Sequence, residues 1–160
     1  MTLLQATGEQ AELIRLLASK VWYKTYEYLD PHDKLDYMFE MMYAPDKIRK
    51  DCTGNSSYYI LYDDEPVGYL SLMINGDTLV IQKIYIMPEA QSKGYGRFLL
   101  EETENFARKH KLQKLWLVVN RRNKARHFYE RMGFSIVGER DFDIGEGHFM
   151  NDFIMEKSLQ

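Results

Sequence analysis

Residues 84–97 read IYIMPEAQSKGYGR, an apolar run followed by two glycines one residue apart, between a lysine and an arginine. The run predicts a β-strand that ends near Pro88. Apolar residues at helical spacing after Gly96 predict a helix that ends near His110. The glycines between them have two interpretations. They form a tight turn with a solvated charge at each end, or they open the first turn of the helix to a phosphate.

On both sides of this segment, sequence patterns typical of strands and of helices follow one another. A capping box over Thr7–Gln10 precedes the first helix. Pro31 is expected as the first residue of the second helix. The last helix is expected over residues 123–132 and ends at Gly133. A third helix is expected to end near Cys52. Strands are expected at residues 2–6, 58–62, 67–74, 78–87, 115–119 and 149–155, and one more begins at residue 134. The strand at 115–119 is expected to be buried on both faces, and a turn is expected at 143–147. This order predicts an α/β (α+β) protein with a mixed sheet.

Composition excludes several functional classes. The chain has 160 residues, 45% of them hydrophobic, which favours one globular domain over residues 1–160. Its net charge of −3 gives no reason to expect a nucleic-acid surface. One cysteine, no leader pattern and no membrane-length apolar run predict a cytoplasmic protein. The four histidines lack ligand spacing, so no metal site is expected.

The glycine turn alone does not identify a ligand. The chain lacks the G-x-x-x-x-G-K-[ST] pattern of a P-loop. It also lacks a full dinucleotide-binding pattern, because Leu99 occupies the position of the third glycine. A second motif decides between the interpretations.

That motif is F-Y-E-x-x-G-F over residues 128–134, about 33 residues after Q-x-x-G-x-G over residues 91–96. Together with the strand at residues 84–88, the pair resembles the GNAT superfamily of acetyl-CoA-dependent N-acetyltransferases. The similarity covers roughly residues 58–157. The ending at residues 152–157 is similar to bacterial polyamine-acetyltransferase-like members.

The resemblance implies a fold and assigns different functions to two parts of the chain. It implies a mostly antiparallel sheet of about six to seven strands, flanked by helices and splayed at the central strands. Residues 1–57 would supply the first strand and the helices on the acceptor side, and residues 58–160 would form the acetyl-CoA-binding core. Homodimers are common among similar proteins, so a homodimer is a further expectation.

The resemblance also assigns residues to acetyl-CoA. Ile84 and Ile86 would line the pantetheine arm with their main chain, and either Asn120 or Asn123 would bond the arm further down. The pyrophosphate would be held by residues of the glycine turn: Gln91, Lys93, Gly94, Tyr95, Gly96 and Arg97.

The expected reaction is attack of a primary amine, either a small cationic amine such as a polyamine or a protein amine, on the thioester. Tyr129 would protonate the leaving thiolate, and a backbone N–H near Tyr85 or Ile86 would stabilise the oxyanion. The base stays open, because Gln82 stands where several relatives carry a glutamate. Candidates are a water relayed by Tyr85 or an acid from the N-terminal helices, where Glu27, Asp30, Asp33 and Asp36 cluster. Together with Asp143, Glu146 and Asp152 near the C-terminal hairpin, these acids suggest a cationic amine acceptor held by several carboxylates.

The acceptor is expected to contact Tyr26, Glu27 and Tyr85, and aromatic residues of the first helix could extend this pocket: Trp22, Tyr23 and Tyr28. Two other functions remain as alternatives. A binding module would sense acyl-CoA without turnover, and a regulatory domain would hold another nucleotide on the same glycine turn.

Overall fold

The computed structural model describes residues 1–27 and 30–160, and the predicted order of elements is confirmed. The strands are β1 (Thr2–Gln5), β2 (Ser56–Asp63), β3 (Glu65–Asn75), β4 (Thr78–Ile86), β5 (Lys114–Asn120), β6 (Ser135–Gly145) and β7 (His148–Ser158). The helices in the described ranges are α1 (Ala11–Tyr26), α2 (His32–Tyr43), α3 (Pro45–Thr53), α4 (Tyr95–Lys109) and α5 (Ala125–Arg131).

All the strands belong to one sheet in the order β1-β2-β3-β4-β5-β7-β6. Every neighbouring pair is antiparallel except β4 and β5, which are parallel. Those two strands pair only from Thr78↔Lys114 to Val80↔Trp116, and beyond that point they diverge. The mixed, mostly antiparallel sheet with splayed central strands is therefore confirmed, and the splay opens the middle of the molecule.

An irregularity in β4 changes which side chains face which way. The β3–β4 register shifts so that Ser71 pairs with Lys83 and Leu72 pairs with Ile81, which leaves Gln82 without a cross-strand partner. In a regular strand Ile81 and Tyr85 would share a face. After this bulge, Ile81 packs into the core against α4, whereas Tyr85 packs on the opposite core with α1 and α2.

The sheet therefore carries one apolar core on each face. The capping box forms as expected, since the Thr7 N–H donates to Gln10 Oε1 at 2.6 Å, and it caps a short 3-10 helix, Gly8–Gln10, that leads into α1. Helices α1, α2 and α3 cover one face of the sheet, and α4 covers the other. The C-terminal part of α1, one side of α2 and the start of α4 line the open centre of the sheet.

Three local expectations were wrong. Pro31 is the N-cap of α2, with ψ 151, and His32 is the first helical residue. The expected turn at 143–147 is only two residues long, because Gly145 still pairs with His148. The two turn residues both have positive φ, as a tight hairpin requires. Strand β5 is not buried on both faces, since buried and half-buried residues alternate along it.

Gly68 makes the close β3–β4 pairing possible beside the splay. An added Cβ would lie 2.7 Å from the Tyr85 carbonyl oxygen and 2.9 Å from Ile86 Cδ1. Backbone atoms cannot easily give way, so we expect Gly68→Ala to lower the free energy of unfolding by about 1–3 kcal/mol in urea denaturation. The matched control is Gly138→Ala in β6, whose Cβ would meet only Ile154 Cδ1 at 3.6 Å. Equal midpoints for the two variants would contradict this account.

Candidate active site

The divergence of β4 and β5 leaves a cleft of about 790 Å³. One wall is residues 81–86 of β4, and the other is residues 117–120 of β5. The start of α4 and side chains from α1, α2 and α5 complete the lining. A cleft of this size, lined by apolar groups with a few polar ones, is typical of a small-molecule site.

Most of the residues predicted for the site line this cleft. They are Tyr26, Ile84, Tyr85, Ile86, Gln91, Gly94, Tyr95, Gly96, Arg97, Asn120, Asn123 and Tyr129. Lys93 is exposed beside the glycine turn, and Glu27 caps the C-terminus of α1; neither lines the cleft. Trp22 lines it and Tyr23 does not, while Tyr28 lies outside the described residues.

The glycine turn has the geometry of an open helix start. Gly94 is the N-cap of α4, with φ 86 and ψ 3, and no side chain caps this end. The N–H groups of the first helical turn, which begins at Tyr95, have no acceptor within the helix. A Cβ on Gly96 would lie 3.3 Å from Phe128 Cζ, so α5 packs closely against this turn. The arrangement suits an anion, since the N–H groups and the positive end of the helix dipole point to the same place.

Asn120 and Asn123 hold the loop between β5 and α5. The Oδ1 of Asn120 accepts from the Arg122 N–H, and the Oδ1 of Asn123 accepts from the Ala125 N–H, both at 2.9 Å. Both residues line the cleft, so the choice between them as a ligand contact stays open.

Three tyrosines carry hydroxyl groups in the cleft. The hydroxyls of Tyr26 and Tyr85 are hydrogen-bonded at 2.8 Å, and Tyr129 of α5 is buried. The protein shields all three from water, which raises the pKa of each above its usual value. Each hydroxyl is therefore protonated in neutral solution, as an ordinary tyrosine is, and is a weaker acid than a solvated tyrosine.

Among the described residues, only two of the predicted acids line the cleft. Asp30 bonds Lys34 at 2.8 Å and lies 3.5 Å from Arg122, so its charge is already matched. Asp152 of β7 is 3% exposed, its Oδ2 has no hydrogen-bond partner, and Arg140 Nε lies 3.7 Å away. Burial raises the pKa of Asp152 despite that arginine. Gln82 lines the cleft too, and its Oε1 accepts from the Ser71 hydroxyl at 2.9 Å.

The sequence did not single out Lys83, which also lines the cleft. Its ammonium lies 5.5 Å from the ring centroids of both Tyr43 and Tyr58. No carboxylate of the described residues lies within 4.0 Å of it. Burial lowers the pKa of Lys83 from 10.5 to about 8. The side chain faces these rings because of the bulge at Gln82, which no residue pattern announces.

Removing the Lys83 charge should stabilise the fold. The lowered pKa corresponds to at most about 3 kcal/mol of destabilisation in the protonated form, and the two aromatic contacts offset about 1–2 kcal/mol of it. We expect Lys83→Met to raise the free energy of unfolding by about 1–2 kcal/mol at pH 7. A lowered lysine pKa penalises the folded state at low pH, so the gain should shrink as pH rises through 8 and vanish above about 10.5. Urea denaturation of the unaltered protein and of Lys83→Met across this pH range measures the gain in stability. A difference between them that does not change with pH would contradict the prediction.

Two features are absent from the part of the chain that the structure describes. Residues 1–27 and 30–160 contain no group of three or more His, Cys, Asp or Glu side chains placed to hold a metal ion. In the same ranges no helix combines the length and apolar character needed to cross a membrane.

Known proteins match this chain in sequence. The family model described as Acetyltransferase (GNAT) family matches residues 18–134. An uncharacterized N-acetyltransferase of Mycobacterium tuberculosis is 33% identical over 101 residues, covering 61% of this chain and 64% of that protein, so the match spans under two thirds of the relative. The spermidine N(1)-acetyltransferase of Thermoplasma acidophilum is 26% identical over 159 residues, covering 95% of this chain and 93% of the relative.

Solved structures share the fold. The PaiA N-acetyltransferase from Thermoplasma acidophilum, in complex with coenzyme A, superposes with a TM-score of 0.81 at 23% identity, covering 99% of both chains. A GCN5-related N-acetyltransferase from Rhodopseudomonas palustris gives 0.84 at 18% identity, covering 99% of this chain and 95% of the other. The family match confirms the resemblance seen in the two motifs: this chain belongs to the GNAT family of acetyltransferases.

Proposed function

We propose that this protein is an N-acetyltransferase that moves the acetyl group of acetyl-CoA directly to a primary amine in a ternary complex. The observation that carries the proposal is the cleft between β4 and β5, which joins an uncapped helix start to the buried Tyr129 hydroxyl. The first feature suits the pyrophosphate of a nucleotide thioester. The second suits proton donation to a leaving thiolate.

The residues of the cleft divide into a part for CoA and a part for the amine. The first turn of α4 and the exposed Arg97 would hold the pyrophosphate, with Gln91 and Lys93 beside them. The main chain of residues 84–86 would line the pantetheine arm, because β4 has no partner on the β5 side there. The side chains of α1 and α2 would surround the acceptor, together with Tyr26 and Tyr85.

Proton movements fall to two buried groups. Tyr129, whose hydroxyl is protonated at neutral pH, would donate to the thiolate as the C–S bond breaks. Asp152 is the better placed of the two cleft carboxylates to take the proton from the amine. Its raised pKa makes it a stronger base, and its Oδ2 has no hydrogen-bond partner and only a longer ion-pair contact, 3.7 Å, with Arg140 Nε. Asp30 is held by Lys34 and fits that role less well.

Amine-dependent release of CoA from acetyl-CoA tests the proposal, with polyamines, amino acids, aminoglycosides and peptides as acceptors. Turnover that requires one class of amine would support the enzyme. Tight acetyl-CoA binding with no release would favour the sensor, and binding of NAD or ATP in place of CoA would favour the regulatory domain. A cytoplasmic location, a homodimer and a single domain remain predictions, the second measurable by light scattering on the same sample.

A further inference from the structure

The cleft acid Asp152 is paired with an arginine that does not itself line the cleft. Arg140 of β6 stands directly opposite Asp152 of β7 in the antiparallel pairing. Its Nε lies 3.7 Å from Asp152 Oδ2, which is longer than a hydrogen bond. Both atoms are buried, and neither has a hydrogen-bond partner among the described residues. Two buried groups of opposite charge therefore face each other without a hydrogen bond between them.

Neighbouring groups fix the distance between these two side chains. The Arg140 guanidinium lies over two aromatic rings, 5.9 Å from the centroid of Trp116 and 5.4 Å from that of Phe142. Arg121 holds both main chains, because its Nη2 donates to the Arg140 carbonyl at 3.1 Å and its Nε donates to the Asp152 carbonyl at 3.3 Å. The 3.7 Å separation therefore comes from side-chain and backbone positions that other contacts hold.

Several titratable groups act on Asp152 from the elements around it. They are Arg140 of β6, Arg121 of the β5–α5 loop, Lys34 of α2 and Tyr85 of β4. Two of them, Arg121 and Lys34, are already bonded to the carboxylates of other residues. Tyr85 is uncharged at neutral pH. Arg140, by contrast, makes its ion pair with Asp152 itself.

This geometry suits a carboxylate that must accept a proton. A buried carboxylate with no cation nearby would be protonated already and could not act as a base. A guanidinium at hydrogen-bond distance would stabilise the charged form strongly and leave a weak base. At 3.7 Å, Arg140 supplies a counter-charge but no hydrogen bond to Oδ2. Accordingly, burial raises the pKa of Asp152, and Arg140 lowers it only in part.

We propose that Arg140 is a positioning residue of the acetyl transfer, which supplies the counter-charge of Asp152 from outside the cleft and leaves Oδ2 free to take the amine proton. This inference rests on the proposed function and adds a residue that lies outside both sequence motifs. In that step the amine nitrogen bonds to the acetyl carbon as its proton passes to Oδ2. The electrons of the C–S bond leave with the thiolate, which Tyr129 protonates. Arg140 exchanges no proton, since a guanidinium stays charged.

The first test removes the charge with Arg140→Met and measures kcat/KM for CoA release against pH, with an amine that the unaltered protein accepts. We expect the ratio of unaltered to variant kcat/KM to be near one at the highest pH. The ratio should rise to about 10–100-fold as pH falls, because without the guanidinium Asp152 becomes protonated at a higher pH. Ionisation of the amine itself is common to both proteins and cancels in this ratio.

Two further variants show whether the charge is responsible. Arg49→Met is the matched control, because Arg49 of α3 makes its ion pairs with the exposed Glu12 and Asp46. It should give a ratio near one at every pH. Arg140→Lys keeps a positive charge and should give a pH profile closer to the unaltered protein than to Arg140→Met. A ratio for Arg140→Met that is the same at every pH would overturn the inference, since a merely structural role would not move the pH profile.

The ionisation of Asp152 is also measured without any assay of activity. Carbon-13 NMR follows the aspartate carboxyl carbons against pH, and Asp152→Asn identifies the signal. We expect its midpoint at a higher pH in Arg140→Met than in the unaltered protein, and an unmoved midpoint would overturn the inference alone. If Arg140→Met does not fold, Arg140→Gln, which keeps a polar group, replaces it. An acid limb that survives Asp152→Asn would overturn Asp152 as the base, and with it the role of Arg140, and leave acetyl transfer standing. No amine-dependent CoA release would overturn both.

Discussion

Replacing Tyr129 with Phe is expected to lower kcat by about 10²–10⁴-fold and to leave the Kd for acetyl-CoA unchanged. The phenol is buried in α5 at the wall of the cleft, and like any tyrosine it is protonated at neutral pH. Without it, the thiolate must leave unprotonated or take its proton from water, and both routes are slower. The ring stays in place, so its edge contact with Phe134 and the fold should survive. Steady-state rates with a saturating amine and calorimetric titration of acetyl-CoA measure the two quantities.

A second tyrosine controls for the loss of any hydroxyl. Tyr59 lies on β2, outside the cleft, and Tyr59→Phe should leave kcat within about twofold of the unaltered protein. If Tyr129→Phe behaved like this control, the proton would have to come from elsewhere. The Tyr26–Tyr85 pair would then be the next donor to vary.

The parts of this fold that were predictable are those fixed by local chemistry. The glycine turn before α4 follows from a backbone conformation at Gly94 that other residues rarely adopt. The capping box at Thr7 and the stop at Gly133 likewise depend only on neighbouring residues. The expectation that Tyr129 belongs to the site came from the resemblance carried by two spaced motifs, and Tyr129 does line the cleft.

The missed parts depend on contacts between distant segments. Lys83 was overlooked because a lysine in a strand is usually solvated, and only the register shift against β3 turns it between two tyrosine rings. Asp152 was one of seven acids named together. What separates it from Glu146 is its position on β7 opposite Asn120, which buries it at the cleft. No local sequence pattern distinguishes a carboxylate on β7 that lines the cleft from one on an exposed turn.

We expect Asp152→Asn to lower kcat/KM by about 10²–10⁴-fold at neutral pH, because an amide cannot take a proton from the incoming amine. The sign of the pH dependence follows from the raised pKa of Asp152. As pH falls through that value the carboxylate becomes protonated, so the unaltered enzyme should lose activity at a pH above the usual range of an aspartate. The variant should not show this loss of activity at low pH. Its low activity should rise only as the deprotonated fraction of the amine acceptor increases with pH.

A control substitution and a stability measurement separate a catalytic effect at position 152 from an effect on folding. Glu146→Gln alters an acid on the exposed β6–β7 turn and should leave kcat/KM within about twofold. Asp152 is buried with a raised pKa, so its charge does not stabilise the folded state, and the Asn variant should unfold at a similar urea midpoint at neutral pH. A fall in activity with that midpoint unchanged would assign proton transfer to Asp152. Full activity with the acid limb intact would instead favour the predicted water relay through Tyr85 as the base, since Gln82 cannot serve and Asp30 is ion-paired with Lys34.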